Sequence, residues 1–144
     1  MKVPVSWLKS LVDFNEATTI LADKLTFAGL EVEAIEKIGS NFDGIVVGEI
    51  LEITNHPNAD KLRVCIVNIG GDEDIQVVCG APNARTGLKG VFAPVGAYVP
   101  GIDLTLKVGE IRGERSNGML CSEREMEISD EHDGIIELAE DAPV

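Results

Sequence analysis

From about Gly39 onward the sequence breaks into short runs of Val, Ile, Leu and Thr, each ended by Gly, Pro, Asn or Asp. That rhythm excludes long helices over most of the chain, because β-branched side chains crowd a helix but pack well on a pleated sheet. It predicts strands over Ile45–Thr54, Leu62–Gly70, Ile75–Cys79, Val91–Val99 and Leu104–Arg112, with Gly134–Leu138 as an extra. Gly70-Gly71 before "DED" marks a hairpin between the second and third strands. "GAPNARTGLKG" after the third is full of breakers and leaves room for one helical turn at most. Pro94 and Pro100 push the fourth strand toward an edge or a bulge. Five strands with a break after the third suit a small closed β-barrel, and the OB-fold is the leading architecture. The expected fold class is mostly β: a five-stranded OB-fold barrel, residues 39–144 with an acidic tail, preceded by a small α/β segment, residues 1–38.

In that first segment "NEATTILADKLTFAG" carries Ala17, Ile20, Leu21, Leu25 and Ala28 at helical spacing, with Asn15 able to cap the start and Gly29 to end it. "SWLKSLV" suggests a short helical turn before it. "LEVEAIEKI" alternates apolar and acidic residues and suggests a strand with one wet face. Thirty-eight residues of this kind bury themselves poorly. They are expected to lean on the rest of the chain or on something outside it.

With 44% hydrophobic residues the chain can build a core, but it has one Trp, one Tyr and four Phe, so that core is Val, Ile, Leu and Ala. The formal net charge is −13, and the last 17 residues hold six acids and no base. This average field repels a polyanion such as nucleic acid, though a local basic strip remains compatible with it. Cys65, Cys79 and Cys121 form no CxxC pair and read as buried free thiols of a reducing compartment. The N-terminus is too interrupted by charge for a signal peptide, and nothing approaches the ~20 apolar residues of a membrane span. A cytoplasmic location is expected, with no membrane partner.

"HPNADKLRVC", His56 to Cys65, gathers a histidine, an aspartate, a lysine and a cysteine. Proline fixes φ and asparagine tolerates the left-handed region, so the stretch reads as a turn between two strands, with Asp60 in an Asx-type role. A nucleophile within reach of His56 is lacking, because Cys65 lies inside an apolar strand and no G-x-S-x-G elbow occurs. Two histidines and three scattered cysteines make no zinc set, and "GGDEDI" lacks the ligand spacing of a calcium loop. Neither a catalytic residue nor a metal site is expected. What remains is contact with a partner through Lys61 and Arg63. Arg63, Arg85, Lys89, Arg112 and Arg115 could converge on one barrel face, and a mixed-charge soluble surface fits the same residues.

"HPNADKLRVCIVNIG", "VVCGAPNAR", "GAYVPG" and "GERSNGMLCSERE", in this order and spacing, resemble the EMAP-like tRNA-binding domain over residues 39–138. "MKVPVSWLKSLVDFN" with "LADKLTFAGLEVEAIEKIG" resembles the start of the bacterial phenylalanine–tRNA ligase beta-subunit family, and "SDEHDGIIELAEDAPV" resembles the stretch after the domain in that family. One departure is visible: where the family commonly has Glu-Leu-Gly, this chain has Glu125-Met126-Glu127. The resemblance implies the front part of a longer subunit, whose first segment packs with residues beyond position 144. It implies a tRNA-binding module that contributes to aminoacylation of tRNA-Phe, with the active site on an alpha subunit. ATP and magnesium would serve the whole enzyme and no cofactor this segment. Implied partners are tRNA-Phe, the alpha subunit and the rest of the beta subunit, but not DNA. Implied tRNA contacts are Asn58, Lys61, Arg63, Arg85, and the stretch with Arg115, Ser116, Asn117, Met119 and Ser122; Lys89 and Arg112 join them as neighbouring bases. OB-folds usually bind single strands with aromatic platforms and a basic groove. From residue 39 on this chain has only Phe42, Phe92 and Tyr98 as aromatics, so any RNA binding would be weak and salt-sensitive. A structural or subunit-interaction module without direct tRNA contact fits the acidity equally well. A free-standing tRNA-binding protein or chaperone of the same family is a further alternative.

Overall fold

Val46–Asn55 forms β1, the longest strand of the computed structural model, and it serves both sides of the barrel. The structure describes residues 1–37 and 42–144. The first part of β1 pairs antiparallel with β4 (Lys89–Pro94), from Val46 opposite Phe92 to Glu49 opposite Lys89. The remainder pairs with β2 (Arg63–Asn68), and a bulge between Ile50 and Glu52 shifts the register. A bulge adds twist and bend, which a strand needs if it is to pass from one side of a small barrel to the other. Gly48 sits just before that bend. A Cβ there would come within 2.8 Å of Val67 Cγ1 and 2.9 Å of Phe92 Cβ, so only glycine allows the two walls to meet.

β2 pairs in turn with β3 (Ile75–Cys79), and β4 with β9 (Gly118–Leu120), giving the order β3-β2-β1-β4-β9. Between β4 and β9 lie two small hairpins. β5 (Tyr98–Val99) pairs with β6 (Leu104–Thr105) across a 3₁₀ turn, Pro100–Ile102, and β7 (Gly109–Ile111) pairs with β8 (Glu114–Ser116). The outer strands of the sheet meet at a seam: the N–H of Asn117 donates to Gln76 O at 3.0 Å and that of Val78 to Ser116 Oγ at 3.1 Å. The result is a nearly closed, five-stranded barrel of OB-fold type.

The expected strands over the first three barrel positions match those observed within two residues, but the last two do not. The fourth stops at Pro94, after which Ala97 N–H donates to Pro94 O at 3.1 Å and Gly96 takes a φ of +92°, a turn that ejects the chain from the sheet. Leu104–Arg112 is divided between the two hairpins and never enters the barrel. The fifth barrel strand is the short Gly118–Leu120, which lies outside the strands expected from sequence. Gly134–Leu138 forms a single bridge, Gly90 to Glu137, rather than a strand. It is held by Ile136 N–H on Cys121 O at 2.9 Å and Leu138 N–H on Lys89 O at 2.8 Å, so it crosses β4 and the end of β9 as a strap.

Alternation along the strands sends Ile50, Cys65, Val67, Val77, Cys79, Phe92 and Leu120 into the barrel. A second cluster, Ala93, Ala97, Val99, Cys121 and Met126, lies on the other face of β4. Met126 reaches it from a turn that begins at Ser122, whose N–H and Oγ both donate to Glu125 Oε2, one half of a capping box. All three cysteines are free and buried.

The chain divides into two compact units, Met1–Gly39 and Ser40–Val144. In the first, α1 (Val5–Leu11) and α2 (Thr18–Phe27) bury no residue. Asn15 does not cap α2. Ala17 occupies the N-cap with no side-chain bond, so the helix begins later than the sequence pattern suggests. Its end is as expected: Gly29 at φ +94° places its N–H on Thr26 O and that of Leu30 on Leu25 O, a Schellman motif. The strand expected over "LEVEAIEKI" is absent from residues 31–37, and Ile38 lies outside the described residues. A one-sided strand needs a paired neighbour to satisfy its N–H and C=O groups, and the described residues of this unit contain none. No helix among the described residues is long and apolar enough to cross a membrane.

Candidate nucleic-acid interface

The turn between β1 and β2 is built by His56. Its backbone N–H donates to Leu62 O at 3.1 Å, and its ring, only 5% exposed, makes two further bonds. Nδ1 lies 3.0 Å from the N–H of Asn58, and Nε2 lies 2.8 Å from the carbonyl of Ile111. A backbone N–H can only donate and a carbonyl can only accept, so Nδ1 is bare and Nε2 carries the proton. The capping role expected of Asp60 thus belongs to the histidine ring. Asn58 adds a second strut across the same gap, donating from Nδ2 to Arg112 O at 3.0 Å.

These two bonds latch the β1–β2 turn to the tip of the β7–β8 hairpin. Arg112 and Gly113 form that tip, both with positive φ (+50° and +94°). This is the conformation a two-residue hairpin turn demands, and an arginine adopts it at a cost of roughly 1–2 kcal/mol relative to glycine. In OB-folds the loops that follow the first and fourth barrel strands frame the usual oligonucleotide site. Here the latch joins those loops, and each brings exposed cations: Lys61 on one side, Arg112 and Arg115 on the other. Among the described residues, none of these three side chains makes a hydrogen bond or an ion pair. Lys107 and Arg124, outside the expected set, are equally uncommitted.

The other expected site residues are engaged inside the fold. Arg63 Nη1 donates to Ala84 O at 2.9 Å and anchors the β3–β4 loop. Arg85 Nη2 meets Glu137 Oε2 at 2.8 Å, while Asn83 Nδ2 takes Glu137 Oε1 at 3.0 Å. Lys89 Nζ donates to the carbonyls of Glu140 and Ala142, each at 2.8 Å. The acidic C-terminal strap therefore occupies Arg85 and Lys89. Ser116 and Ser122 are buried and bonded internally, Met119 packs against the second cluster, and Asn117 closes the seam with its backbone. The five bases proposed for one face thus separate into the uncommitted Arg112 and Arg115 and the engaged Arg63, Arg85 and Lys89.

A shallow cleft on the outer face of β1–β3 is lined by Glu52, Thr54, Ile66, Gln76 and Glu114, among others. Two carboxylates and no cation line it, so it repels phosphate where many OB-folds attract it. Among the described residues no group of three His, Cys, Asp or Glu side chains is placed to hold a metal ion. The sequence reading treated His56 as turn chemistry and missed its bond to Ile111, because that partner lies 55 residues away and no local pattern announces it.

A family model described as "Putative tRNA binding domain" matches residues 45–144. The phenylalanine–tRNA ligase beta subunit of Rhodopseudomonas palustris is 55% identical across the whole of this chain, and that of Bartonella quintana 51%. The chain spans 18% of the length of each. Among solved structures, the MetRS related protein from Pyrococcus horikoshii is 24% identical, with a TM-score of 0.49 over 69% of this chain and 84% of that one. With a barrel of OB-fold type, a latched pair of loops and a family model that spans every strand from β1 to β9, the chain belongs to the tRNA-binding domain family.

Proposed function

We propose that this chain is the tRNA-binding module of a phenylalanine–tRNA ligase beta subunit, contributing to the charging of tRNA-Phe without carrying the active site. The likeness to beta subunits across the full chain supports the assignment to that enzyme. On this reading the alpha subunit and the rest of the beta subunit are its protein partners, and ATP and magnesium act elsewhere in the enzyme. The observation that carries RNA contact is the latch, which places Lys61 and Arg112 at one junction although Asn58 and Arg112 are 54 residues apart. Phosphates, not bases, are the target. Of the three aromatics from residue 39 on, Phe92 is fully buried, which leaves Phe42 and Tyr98 as exposed rings, fewer than the row of stacking platforms on which a single-strand binder relies.

Titration of the 144-residue chain into labelled tRNA-Phe at low and moderate salt tests this. Three phosphate contacts give saturable binding whose log–log salt slope is about −2 to −3. No binding at low salt overturns direct tRNA contact by this chain. A second reading, a scaffold that touches the alpha subunit, is favoured by the acid-lined cleft and the net charge of −13. Salt-resistant capture of the alpha subunit together with absent tRNA binding would select it.

A further inference from the structure

We infer that His56 is a positioning residue for the tip of the β7–β8 hairpin, and that it presents Arg112 to RNA without touching RNA itself. The second half of this inference rests on the tRNA-binding reading above. The hairpin has three residues on each side and, among the described residues, its ladder joins no other strand. Gln76 and Val78 of β3 hold its second strand at Glu114, Arg115 and Ser116, which leaves the first strand and the tip for something else to fix. Its tip also carries an arginine in the left-handed region. A short, strained hairpin of this kind keeps one geometry only if something outside it holds the tip.

The β1–β2 turn supplies that hold. The His56 ring is rigid and nearly buried, with its two nitrogens on opposite sides. One accepts from Asn58 and so locks the ring into its own turn; the other donates to Ile111, the residue before the tip. Asn58 Nδ2 then holds Arg112 through its carbonyl. Neither bond uses the guanidinium, which stays free for a ligand. A pre-positioned cation loses less conformational freedom on binding than a mobile one, so the latch raises affinity with no contact of its own. A flexible glutamine could reach either partner, but it lacks the fixed opposition of the two ring nitrogens.

The test uses the 144-residue chain, an unmodified tRNA transcript, and the variants His56→Ala, Asn58→Ala, Arg112→Ala and the double variant His56→Ala/Arg112→Ala. In the wild type, the ¹H–¹⁵N pattern of the His56 ring shows protonated Nε2 and bare Nδ1. His56→Ala weakens binding about three- to tenfold, as expected for lost preorganisation, and makes the salt slope shallower by about one contact, as Arg112→Ala does. In the double variant the loss equals that of Arg112→Ala alone, because His56 acts through Arg112. The amide of Glu114, paired with Ile111 across the hairpin turn, exchanges faster in His56→Ala. Additive losses, unchanged affinity in His56→Ala, or unchanged exchange at the tip each overturn the inference. If the wild type binds no tRNA, the tRNA reading fails by itself and tip exchange decides the positioning role: faster exchange supports it and unchanged exchange overturns it. Should His56→Ala not fold, Asn58→Ala, altered at an exposed side chain, carries the same cycle.

Discussion

The hydroxyl of Ser116 accepts the backbone N–H of Val78 at 3.1 Å and donates to the carbonyl of Gly118 at 3.2 Å, so one buried side chain stitches β3 to the turn that enters β9. Ser116→Ala leaves that N–H without a partner and costs about 1–3 kcal/mol. Denaturant unfolding reads the loss, while the tRNA affinity of the folded protein stays unchanged. A lowered affinity with full stability would return Ser116 to the interface.

Glu127 occupies the position where the resembling family commonly has glycine, and its φ is +54°. A side chain there is strained relative to glycine, and Met126 beside it is 2% exposed in the second core cluster. Glu127→Gly is expected to stabilise the chain by about 1 kcal/mol, visible as a raised midpoint in thermal unfolding. A lowered midpoint would mean that the interactions of the Glu127 side chain outweigh the backbone strain.

The strap is expected to weaken in acid. Hydrogen bonds from Arg85 and then Asn83 hold the Glu137 carboxyl at about 2, down from the usual 4.5. A depressed carboxyl favours folding above its unfolded value, and that contribution is lost as pH falls from about 4.5 toward 2. Stability measured against pH should fall across this window, and Glu137→Gln should flatten the fall. Equal slopes in both proteins would show that the strap does not depend on this pair.

The three buried thiols are expected to differ in reactivity. Burial, then the charge of Glu125, pushes Cys121 up to about 12. Cys65 is raised by its hydrogen bond to Cys79 and by burial, whereas Cys79 is lowered because it accepts from the Cys65 thiol, with Ala81 N–H 3.5 Å from its sulfur. Alkylation of the folded protein at neutral pH should therefore be slow and should mark Cys79 first, as read by peptide mapping. Labelling of Cys121 ahead of Cys79 would contradict this order.

Where neighbours in sequence set the structure, the sequence alone was enough. Short runs of Val and Ile ended by Gly or Asn located β1, β2 and β3, because β-branched residues favour a pleated sheet. They left the inward face open, since Val64 and Ile66 on the outer side of β2 are as apolar as Cys65 and Val67 on the inner side. "HPNADK" determined a turn, Gly29 determined the end of α2, and the motif order determined the family. Tertiary structure alone decided which residues are available to a partner. Gly118–Leu120 is too short to stand out as a strand and becomes one only because β4 offers it an edge. Arg85 and Lys89 look like free cations until the strap folds over them from some fifty residues away. His56 looks like part of a loop until Ile111 arrives opposite its ring. A hydrogen bond or an ion pair depends on distance in space, and separation along the chain carries no trace of it.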